Sequence, residues 1–336
     1  MQKIWNINKP ISPGGVASVM FLEELEMLAG AGRVSRQEPM ALHTTFQIGG
    51  PADYYVTPQK AGEAAGIVRL CQREQMPLTV IGNGSNLLVS DKGVRGVVMA
   101  LEGSLAFREN RALLPKRASW SFYDFFIKGT QVWAGAGIPL SALAVRTAAA
   151  GLSGLEYAGG IPGTLGGGIM MNAGAYGGEL ADCLKEVLLI RPDGELVLVA
   201  AADLKLGYRT SRMQQTGEIV AGAHLQLSEG DAEQALARIR EFNARRREKQ
   251  PLEYPSAGSA FKRPEGYFAG KLIQEAGLSG FRIGDAQISE KHCGFLINRG
   301  AATATQVREL IQEVQARVWN QAGVRLEPEI RLLGDW

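Results

Sequence analysis

The sequence predicts a chain of mixed helices and strands, long enough at 336 residues for two or three domains. An amphipathic helix pattern at residues 61–74 runs directly into a buried-type strand at residues 78–81. Strand patterns separated by turn residues then predominate at residues 187–227. Two long helix patterns follow, at residues 231–249 and 303–322. These regions together predict a fold that contains both helices and strands.

The charge balance of the chain argues against a general electrostatic attraction to nucleic acid or anionic membranes. Lys and Arg number 36 against 34 Asp and Glu, so the formal net charge is only +2. Nucleic acid and anionic membranes attract strongly basic proteins, and we expect neither as a partner. The three cysteines, Cys71, Cys183 and Cys293, are widely spaced and form no CxxC motif. They indicate neither a disulfide framework nor a zinc site, so we expect no metal and a reducing compartment.

The sequence contains no evident targeting signal or membrane span. Residues 14–22 are apolar, but they lead straight into Glu23 and Glu24 and lack a small-residue cleavage site. No apolar run reaches the length of about 18 residues that a membrane-spanning helix needs. We therefore expect a cytoplasmic protein.

The individual elements are predicted from apolar periodicity and turn residues. Residues 1–42 form an N-terminal extension with one amphipathic helix at about residues 19–28, ended by Gly30 and Gly32. Residues 102–128 are aromatic and irregular, and they are assigned only as a surface excursion. The assigned elements are strands at 54–56, 78–81, 97–101, 132–134, 187–190, 196–199, 218–227 and 324–332, and helices at 61–74, 139–150, 231–249 and 303–322.

Signals at the helix ends support these assignments. Pro139 stands near the start of one helix. Thr303 and Gln306 suit a capping box at the start of the last helix, and Gly323 suits its end. The helix at residues 231–249 ends in a cluster of cations that complements its dipole.

Residues 157–178 are the most unusual stretch, with nine glycines in twenty-two positions and no charged residue. Linkers are polar and repetitive, whereas here Ile161, Leu165 and Ile169 alternate with the glycines. Glycine lets backbone N–H groups come close to a phosphate or a flat ring. The stretch therefore predicts a ligand-binding surface, and the alternative is a tightly packed glycine-rich turn inside a core.

A second glycine loop, Gly82-Asn83-Gly84-Ser85-Asn86, follows the strand at residues 78–81. Its consecutive amides suit an anion-binding nest, to which Ser85 and Asn86 add side-chain donors. The alternative is an ordinary Asn-Gly hairpin turn. The loop lacks the third glycine of the dinucleotide fingerprint, and no P-loop motif occurs in the chain, so the Rossmann and P-loop folds are disfavoured.

Arg209 and Ser259 are candidates for chemistry, Ser259 by a weak signal, and the pattern around Glu329 does not choose between a role and a solvated face. Arg209, between two apolar strand regions, offers a planar fork that matches a carboxylate, and the alternative is a surface arginine. Ser259 lies just ahead of two cations; no motif links it to a histidine, which favours a donated proton or hydrogen bond over a nucleophilic role. Glu329 lies on the polar face of the last predicted strand, where a solvated face is the alternative.

Seven segments, in this order, resemble the UDP-N-acetylenolpyruvoylglucosamine reductases (UDP-N-acetylmuramate dehydrogenases), which are flavin-dependent enzymes of peptidoglycan synthesis. The resemblance covers roughly residues 43–333, and it departs from the family pattern at Gln47, at Cys293 and in residues 102–128. The segments are HTTFQIGGPADYYV, VIGNGSNLLVSD, GLSGLEYAGGIPGTLGGGIMMNAGAYGGE, YRTS, YPSAGSAFKRP, GFRIGDAQISEKHCGFLIN and LEPEIRLLG.

The resemblance implies an α+β fold. An FAD-binding region of the vanillyl-alcohol-oxidase (PCMH) type, in two subdomains, precedes an α+β C-terminal substrate-binding domain. With Ser228-Glu229-Gly230 as the boundary, the predicted domains are the N-terminal extension at 1–42, the FAD-binding domain at 43–228, divided at about 101, and the C-terminal domain at 229–336.

By resemblance, both glycine-rich loops hold FAD, the first on its pyrophosphate. Neither loop contains the histidine or cysteine through which some relatives of this fold tether the flavin, so we predict non-covalent FAD. The predicted FAD-binding residues are Ile81, Gly82, Asn83, Gly84, Ser85, Asn86, Leu87, Ala158, Gly159, Ile161, Pro162, Gly163, Gly166, Gly167, Asn172, Gly174 and Ala175.

The resemblance also assigns catalysis to Arg209, Ser259 and Glu329. It implies that NADPH, the co-substrate, reduces the flavin, whose N5 then delivers a hydride to the β-carbon of UDP-N-acetylglucosamine enolpyruvate. Arg209 would clamp the substrate carboxylate, Ser259 would hand a proton to the α-carbon, and Glu329 would orient this donor network. The product would be UDP-N-acetylmuramate.

Five further residues are predicted to contact the UDP-sugar. The short interval between the YRTS and YPSAGSAFKRP segments predicts the shorter of the family's two subtypes, which lacks an extra loop in the substrate domain. We expect a monomer whose partners are small molecules. The predicted contacts are Tyr208, Lys262, Arg263, Lys271 and Gln287.

Two rival functions are considered. A flavin oxidase of the same fold acting on another substrate is disfavoured by the combination of Arg209, Ser259 and Glu329. A UDP-sugar-binding protein without redox activity would differ by the absence of bound flavin, and hence of colour.

Overall fold

The structure, a computed structural model, describes residues 16–101, 108–109 and 117–336. Part of the N-terminal extension and residues 102–107 and 110–116 therefore lie outside the described residues. The surface excursion predicted at 102–128 is wrong in its last part, because Asp124–Lys128 is a strand of the largest sheet and Phe122 and Phe125 are buried. Distances between Cα atoms divide the chain into two units. The first unit contains Tyr54–Asn83, Gly96–Asn243 and the described residues up to Arg36, and the second contains Gln37–Asp53, Gly84–Arg95 and Ala244–Trp336.

Helices form where apolar residues recur every three or four positions. The α-helices of the described residues are α1 (Val16–Ala29), α2 (Ala61–Arg73), α3 (Leu140–Ala149), α4 (Leu165–Met170), α5 (Met213–Thr216), α6 (Ala232–Lys249), α7 (Ala269–Glu275) and α8 (Ala304–Ala322). The capping box predicted for α8 is confirmed. Thr303 Oγ1 accepts from the Gln306 amide, and Gln306 Oε1 accepts from the Thr303 amide, both at 3.2 Å. Gly323 ends the helix with a φ of 65°.

Strands follow the predicted apolar runs closely in the middle of the chain. The strands of the described residues are β1 (Val34–Pro39), β2 (Pro51–Val56), β3 (Leu78–Ile81), β4 (Leu87–Val89), β5 (Val94–Ala100), β6 (Arg108–Glu109), β7 (Asp124–Lys128), β8 (Gln131–Gly135), β9 (Leu152–Ser153), β10 (Gly174–Ala175), β11 (Gly178–Glu179), β12 (Leu184–Ile190), β13 (Leu196–Ala200), β14 (Ile219–Gln226), β15 (Ser228–Glu229), β16 (Ser256–Ser259), β17 (Arg282–Ile283), β18 (Ala286–Ile288), β19 (Phe295–Asn298) and β20 (Arg331–Leu333).

The largest sheet lies in the first unit, with the strand order β13-β12-β14-β8-β7-β6. Its neighbouring strands are antiparallel except for β6 and β7, which are parallel. The predicted hairpin is confirmed as the β12–β13 pair, in which Ile190 faces Leu196. Val187 and Leu189 of this sheet join Leu143 of α3 in a core from which water is excluded. A second sheet has the order β1-β2-β5-β3, and its β3–β5 pair is parallel.

The second unit has its own sheet and its own core. The antiparallel sheet has the order β16-β19-β18-β17. Leu296 of β19 and Val307 of α8 are both fully buried in this core. Strand β20 pairs in parallel with β4, with Arg331 opposite Leu87.

The half-buried strand predicted at residues 324–332 is wrong over most of its length. The strand begins only at Arg331, and Leu332, expected to face inward, is 37% exposed. Pro328, in the middle of the predicted strand, has no N–H to donate to a ladder. The segment forms an isolated bridge between Phe261 and Pro328 instead of a continuous strand.

The three cysteines are buried as free thiols. Burial raises the pKa of Cys71 and of Cys183 to about 12, so both thiols are protonated at neutral pH. Among the described residues, no helix has both the length and the apolar character required to cross a bilayer.

Candidate active site

The glycine stretch at residues 157–178 folds into a series of tight turns around one short helix. A 3₁₀ turn at Glu156–Gly160 leads to Thr164, the N-cap of α4, whose hydroxyl accepts from the Gly167 amide at 3.3 Å. A hairpin of β10 and β11 follows. Leu165 is fully buried, whereas Pro162 and Gly167 are exposed. The stretch therefore has one packed side and one open side.

Several of its glycines are required by packing inside the protein. A Cβ on Gly159 would lie 2.6 Å from Ile239 of α6, and one on Gly166 would lie 2.9 Å from the Cβ of Ala136. A Cβ on Gly178 would lie 2.5 Å from the ring of Tyr157. No Cβ tolerates such distances, so the structure supports the packed-turn alternative at these three positions.

Gly167 differs from these packing glycines. The nearest atom to a Cβ at this position would be the Thr164 hydroxyl, at an ordinary contact distance of 3.5 Å. The residue is also exposed. Gly167 thus presents bare backbone on the open side, which is the surface a ligand can approach.

The start of the second glycine loop lies directly against this stretch in the first unit. The Asn83 side-chain amide donates to the Pro162 carbonyl at 3.2 Å. A Cβ on Gly82 would lie only 2.3 Å from the Thr164 hydroxyl oxygen, so glycine is needed for the close approach of the two backbones. The structure therefore brings Gly82 and Asn83 together with Pro162 and Thr164.

The hairpin alternative for the loop at residues 82–86 is wrong. Its flanking strands β3 and β4 do not pair with each other, because β3 pairs with β5 and β4 pairs with β20, both in parallel. Gly84, with a φ of 59°, belongs to the second unit, where a Cβ would lie 2.0 Å from the His43 carbonyl oxygen. The Thr45 amide donates to the Gly84 carbonyl at 3.4 Å.

Arg209 occupies a tight turn. Gly207 and Thr210 exchange two backbone hydrogen bonds of 3.1 Å, and Arg209 between them has a φ of 55°. This left-handed conformation costs a non-glycine residue about 1–3 kcal/mol. The half-buried guanidinium donates to the Gly174 carbonyl at 3.3 Å and lies 5.2 Å from the ring centre of Tyr208. The turn thus holds Arg209 at the end of the glycine stretch.

Hydrogen bonds on either side of Arg209 hold this segment against the same glycine stretch. The Ser211 hydroxyl and the Gln214 amide both donate to the Met170 carbonyl at 2.8 Å. The buried Asn172 side chain donates to the Gly207 carbonyl at 3.3 Å and accepts from the Ala181 amide at 3.0 Å. The position of Arg209 therefore depends on the fold of residues 170–174.

A bidentate ion pair between Arg212 and Glu218 lies just after Arg209 in the chain. Arg212 Nε and Nη2 donate to the two carboxylate oxygens of Glu218 at 3.0 and 2.8 Å, and the Thr216 hydroxyl adds a bond of 2.7 Å. Burial alone would raise the pKa of Glu218, but the hydrogen bonds from Arg212 and Thr216 outweigh it, and the net effect is a lowered pKa. Glu218 is therefore ionised at neutral pH.

Ser259 and Glu329 lie on adjacent segments of the second unit. Ser259 is the exposed last residue of β16, opposite Phe295 of β19. The amide of the following residue, Ala260, donates to the Gly294 carbonyl at 2.8 Å, and the Ala260 carbonyl accepts from the Glu329 amide at 2.9 Å. The half-buried Glu329 is thus connected by backbone to the residue next to Ser259.

The five residues predicted to contact the UDP-sugar have different surroundings. Tyr208 is 56% exposed, and Lys262 forms an ion pair with Glu327. The guanidinium of Arg263 lies 4.0 Å from the ring centre of Phe268. Exposed Lys271 lies 3.7 Å from the carboxylate of Glu275. Gln287 is only 9% exposed, and its amide donates to the Gly280 carbonyl at 3.0 Å.

Two features near the candidate site were not predicted from the sequence. Asn243 of α6 donates to the Gly159 carbonyl at 3.3 Å, and Phe242 of the same helix stacks on Tyr176 with ring centres 4.4 Å apart. The available signal was a polar residue, Asn243, four positions after Ile239 on the apolar face of α6. His292 is the second feature. Its Nδ1 accepts from the Gly294 amide at 3.0 Å, and burial lowers the pKa of its imidazole, which stays neutral at pH 7.

The two glycine loops fit an FAD molecule. Neither loop contains an acidic residue that would repel an anionic pyrophosphate. Within the first unit, Gly167 supplies open backbone and Asn83 supplies a side-chain amide. The close approach at Gly82 keeps the two loops adjacent without side chains in the way.

Comparison with known protein families agrees with this fit. Residues 52–200 match the family model described as an FAD binding domain. Residues 250–333 match the model described as the UDP-N-acetylenolpyruvoylglucosamine reductase C-terminal domain. The predicted α+β fold, an FAD-binding region followed by a C-terminal domain, is confirmed by these matches and by the helices and strands described above.

Close relatives cover nearly the whole chain. A UDP-N-acetylenolpyruvoylglucosamine reductase of Lachnoclostridium phytofermentans is 47% identical over 320 residues, covering 94% of this chain and 98% of the relative. One of Agathobacter rectalis is 48% identical over 303 residues, covering 90% and 94%. The crystal structure of the Thermus caldophilus UDP-N-acetylenolpyruvylglucosamine reductase is 36% identical, with a TM-score of 0.71, and covers 90% of this chain and 99% of that one. This chain therefore belongs to the UDP-N-acetylenolpyruvoylglucosamine reductase family, a family of FAD-dependent oxidoreductases.

Proposed function

We propose that this protein reduces UDP-N-acetylglucosamine enolpyruvate to UDP-N-acetylmuramate in peptidoglycan precursor synthesis, with NADPH as reductant and non-covalent FAD as cofactor. The observation that carries the proposal is the backbone pairing through Ala260 of the segments that hold Ser259 and Glu329. By resemblance of their motifs, both residues correspond to catalytic positions of the reductase family, to which this chain belongs. The position of Arg209 beside Gly174 supports the same interpretation.

The bound cofactor and the residues of the chain have different roles in the proposed reaction. FAD, when bound by the two glycine loops, supplies the hydride-transfer chemistry. Arg209 binds the substrate carboxylate as a bidentate fork and stabilises the negative charge that develops on it. Ser259 gives its hydroxyl proton to the α-carbon, and Glu329 orients the donor network around it. The reaction thus needs Arg209 for charge and Ser259 for the proton.

The UDP-sugar contacts are part of the same proposal. Lys262 and Arg263 carry the positive charge that the diphosphate requires, and Lys271 adds a further cation. Tyr208 offers an exposed ring. Gln287 would have to release the Gly280 carbonyl before its amide could bind a ligand. The predicted domain division, the shorter subtype, the monomeric state and the cytoplasmic location also stay predictions.

A flavin titration tests the proposed function. The purified protein should be yellow, or become yellow with FAD, and it should lose its flavin absorbance with NADPH under anaerobic conditions. The enolpyruvyl substrate should then restore that absorbance. A colourless protein that FAD does not reconstitute would contradict the proposal and favour the UDP-sugar-binding alternative. If oxygen restores the absorbance and the enolpyruvyl substrate does not, the oxidase of the same fold is the better interpretation.

A further inference from the structure

We propose that Asn86 is a positioning residue for Glu329, so that the two asparagines of the loop at residues 82–86 have different tasks. Asn83 joins the loop to the second flavin-binding stretch, whereas Asn86 holds the backbone that carries Glu329. This inference rests on the proposed function for the role of Glu329, but its geometry stands independently of that role.

Two hydrogen bonds connect Asn86 to the Glu329 segment within the second unit. The Asn86 side-chain amide donates to the Glu329 carbonyl at 3.1 Å. The Arg331 amide donates to the Asn86 carbonyl at 3.0 Å. Asn86 thus contacts the segment on both sides of Ile330. Because a carbonyl can only accept, the side-chain atom of Asn86 that faces it must be the donating nitrogen.

A third bond holds Glu329 from the other direction. Its own amide donates to the Ala260 carbonyl at 2.9 Å, next to Ser259. The N–H of Glu329 is therefore bound by the segment of Ser259, and its carbonyl is bound by Asn86. With both peptide groups held, the backbone that carries the Glu329 carboxylate is fixed on its two sides.

The side-chain bond of Asn86 is separable from the fold around it. The β4–β20 pairing begins at Leu87 and Arg331 and continues through Leu88, which is fully buried. That ladder and its apolar burial remain when the Asn86 side chain is removed. A single neutral hydrogen bond contributes about 1 kcal/mol, which is small against the stability of a domain. Asn86→Ala should therefore loosen Glu329 without unfolding the protein.

Asn83 provides a matched comparison within the same loop. Its side-chain amide also donates to a backbone carbonyl, at a similar distance of 3.2 Å, but the acceptor is Pro162 of the glycine stretch. The residue type, the loop and the kind of bond are the same for Asn83 and Asn86. Only the segment that contains the acceptor carbonyl differs. A difference between the effects of the two substitutions can therefore be attributed to the difference between these two segments.

The test uses the FAD-loaded full chain with Asn86→Ala, Asn83→Ala and, as a surface control on α8, Asn320→Ala. Rapid mixing with NADPH and then with the enolpyruvyl substrate separates flavin reduction from reoxidation. For Asn86→Ala, at saturating FAD, we expect about fivefold to tenfold slower reoxidation and an altered pH profile of that step. Asn83→Ala should instead act mainly on the FAD dissociation constant, and Asn320→Ala on neither quantity.

A structural measurement keeps the inference separate from the proposed function. Hydrogen exchange of the amides at residues 329–331 should be faster in Asn86→Ala than in the parent and in Asn83→Ala. If hydrogen exchange at these amides is unchanged in Asn86→Ala, the proposed role of Asn86 is overturned. It is also overturned if Asn86→Ala binds FAD more weakly but is reoxidised at the parental rate at saturating FAD. If the parent protein itself is not reoxidised by the enolpyruvyl substrate, the proposed function fails, and the exchange data alone decide whether Asn86 holds the segment. Asn86→Asp, which sets a carboxylate against the Glu329 carbonyl, should exchange fastest, provided that its circular dichroism matches the parent.

Discussion

The amide of Glu329 donates a 2.9 Å hydrogen bond to the carbonyl of Ala260, the residue that follows Ser259. The two residues are far apart in the sequence, and this bond makes their segments neighbours. The same Ala260 is held from its amide side by the Gly294 carbonyl at 2.8 Å. A serine and a glutamate that are proposed to act on one substrate are thus supported by consecutive backbone bonds.

Replacing Ser259 by alanine should separate the two half-reactions. NADPH should still reduce the flavin at close to the parental rate, because the serine has no proposed part in that step. Reoxidation by the enolpyruvyl substrate should slow by about 10²–10⁴-fold, the usual contribution of a general acid. Stopped-flow flavin absorbance measures both rates. Ser256→Ala, in the same strand, is the control, and equal impairment of both half-reactions in Ser259→Ala would contradict the assigned role.

Replacing Arg209 by glycine should stabilise the protein while abolishing turnover. Glycine adopts the φ of 55° without strain, so we expect a gain in the free energy of unfolding of about 1 kcal/mol. The carboxylate clamp is lost in the same variant, so reoxidation by substrate should fall sharply. Urea unfolding and stopped-flow absorbance measure the two effects.

The matched control for Arg209 is Lys205, an exposed residue with a φ of 49°. Lys205→Gly should gain similar stability and keep full activity, because no role in the site is proposed for it. If Arg209→Gly is less stable than the parent, the hydrogen bond to Gly174 outweighs the strain of the turn. That outcome would show that Arg209 is also needed for the fold of the glycine stretch.

Alanine at Gly82 and at Gly167 should give opposite results. At Gly82 the new Cβ would lie 2.3 Å from the Thr164 hydroxyl, so the FAD-free protein should lose stability by roughly 1–3 kcal/mol. At Gly167 the new Cβ meets protein only at 3.5 Å, so the FAD-free protein should keep its stability while the affinity for FAD falls. Thermal unfolding without FAD and fluorescence titration with FAD measure these effects. Unchanged FAD affinity in Gly167→Ala would show that the flavin does not lie on that open backbone.

Glu218→Gln should destabilise the protein in a pH-dependent manner. Arg212 and Thr216 hold the pKa of Glu218 below its ordinary value of 4.5 in the folded state, against the effect of burial. The resulting stability is therefore fully present above pH 4.5 and is lost as the pH falls through the folded-state pKa. At neutral pH we expect a loss of about 2 kcal/mol, because the pair is only partly exposed.

Urea unfolding at a series of pH values checks the Glu218 prediction. The difference between Glu218→Gln and the parent should narrow as the pH falls below 4.5. Glu195→Gln is the control, since its ion pair with Arg191 is about half exposed and should be worth less than about 1 kcal/mol. A constant difference across the pH range would mean that the Glu218→Gln substitution disturbs packing and that the charge of the carboxylate contributes nothing.

Several elements could be predicted within a residue or two, whereas the strands predicted at 54–56, 97–101 and 187–190 begin three residues earlier than predicted. The predicted helix at 303–322 is α8, starting at Ala304 after its capping box, and the strand at 78–81 is β3 without change. Apolar spacing, helix caps and turn residues depend on residues only a few positions apart. They can therefore be read from a short stretch of sequence. The strand predicted at 324–332 is wrong because its backbone bonds go to Asn86 and Ala260, which the local pattern does not include.

The candidate site likewise has features that the sequence predicts and features that depend on the tertiary structure. Sequence patterns by themselves singled out both glycine loops and Arg209, since unusual glycine density and a polar residue among apolar runs are visible without a fold. Ser259 gave only a weak pattern signal, and Glu329 was assigned by the family resemblance. They did not distinguish Gly159, which packs on Ile239, from Gly167, whose backbone is open. They also left Asn83 and Asn86 equivalent, although one binds the Pro162 carbonyl and the other binds the Glu329 carbonyl. Only the tertiary structure decided these partners, because packing and hydrogen bonding depend on residues that lie tens or hundreds of positions away in the chain.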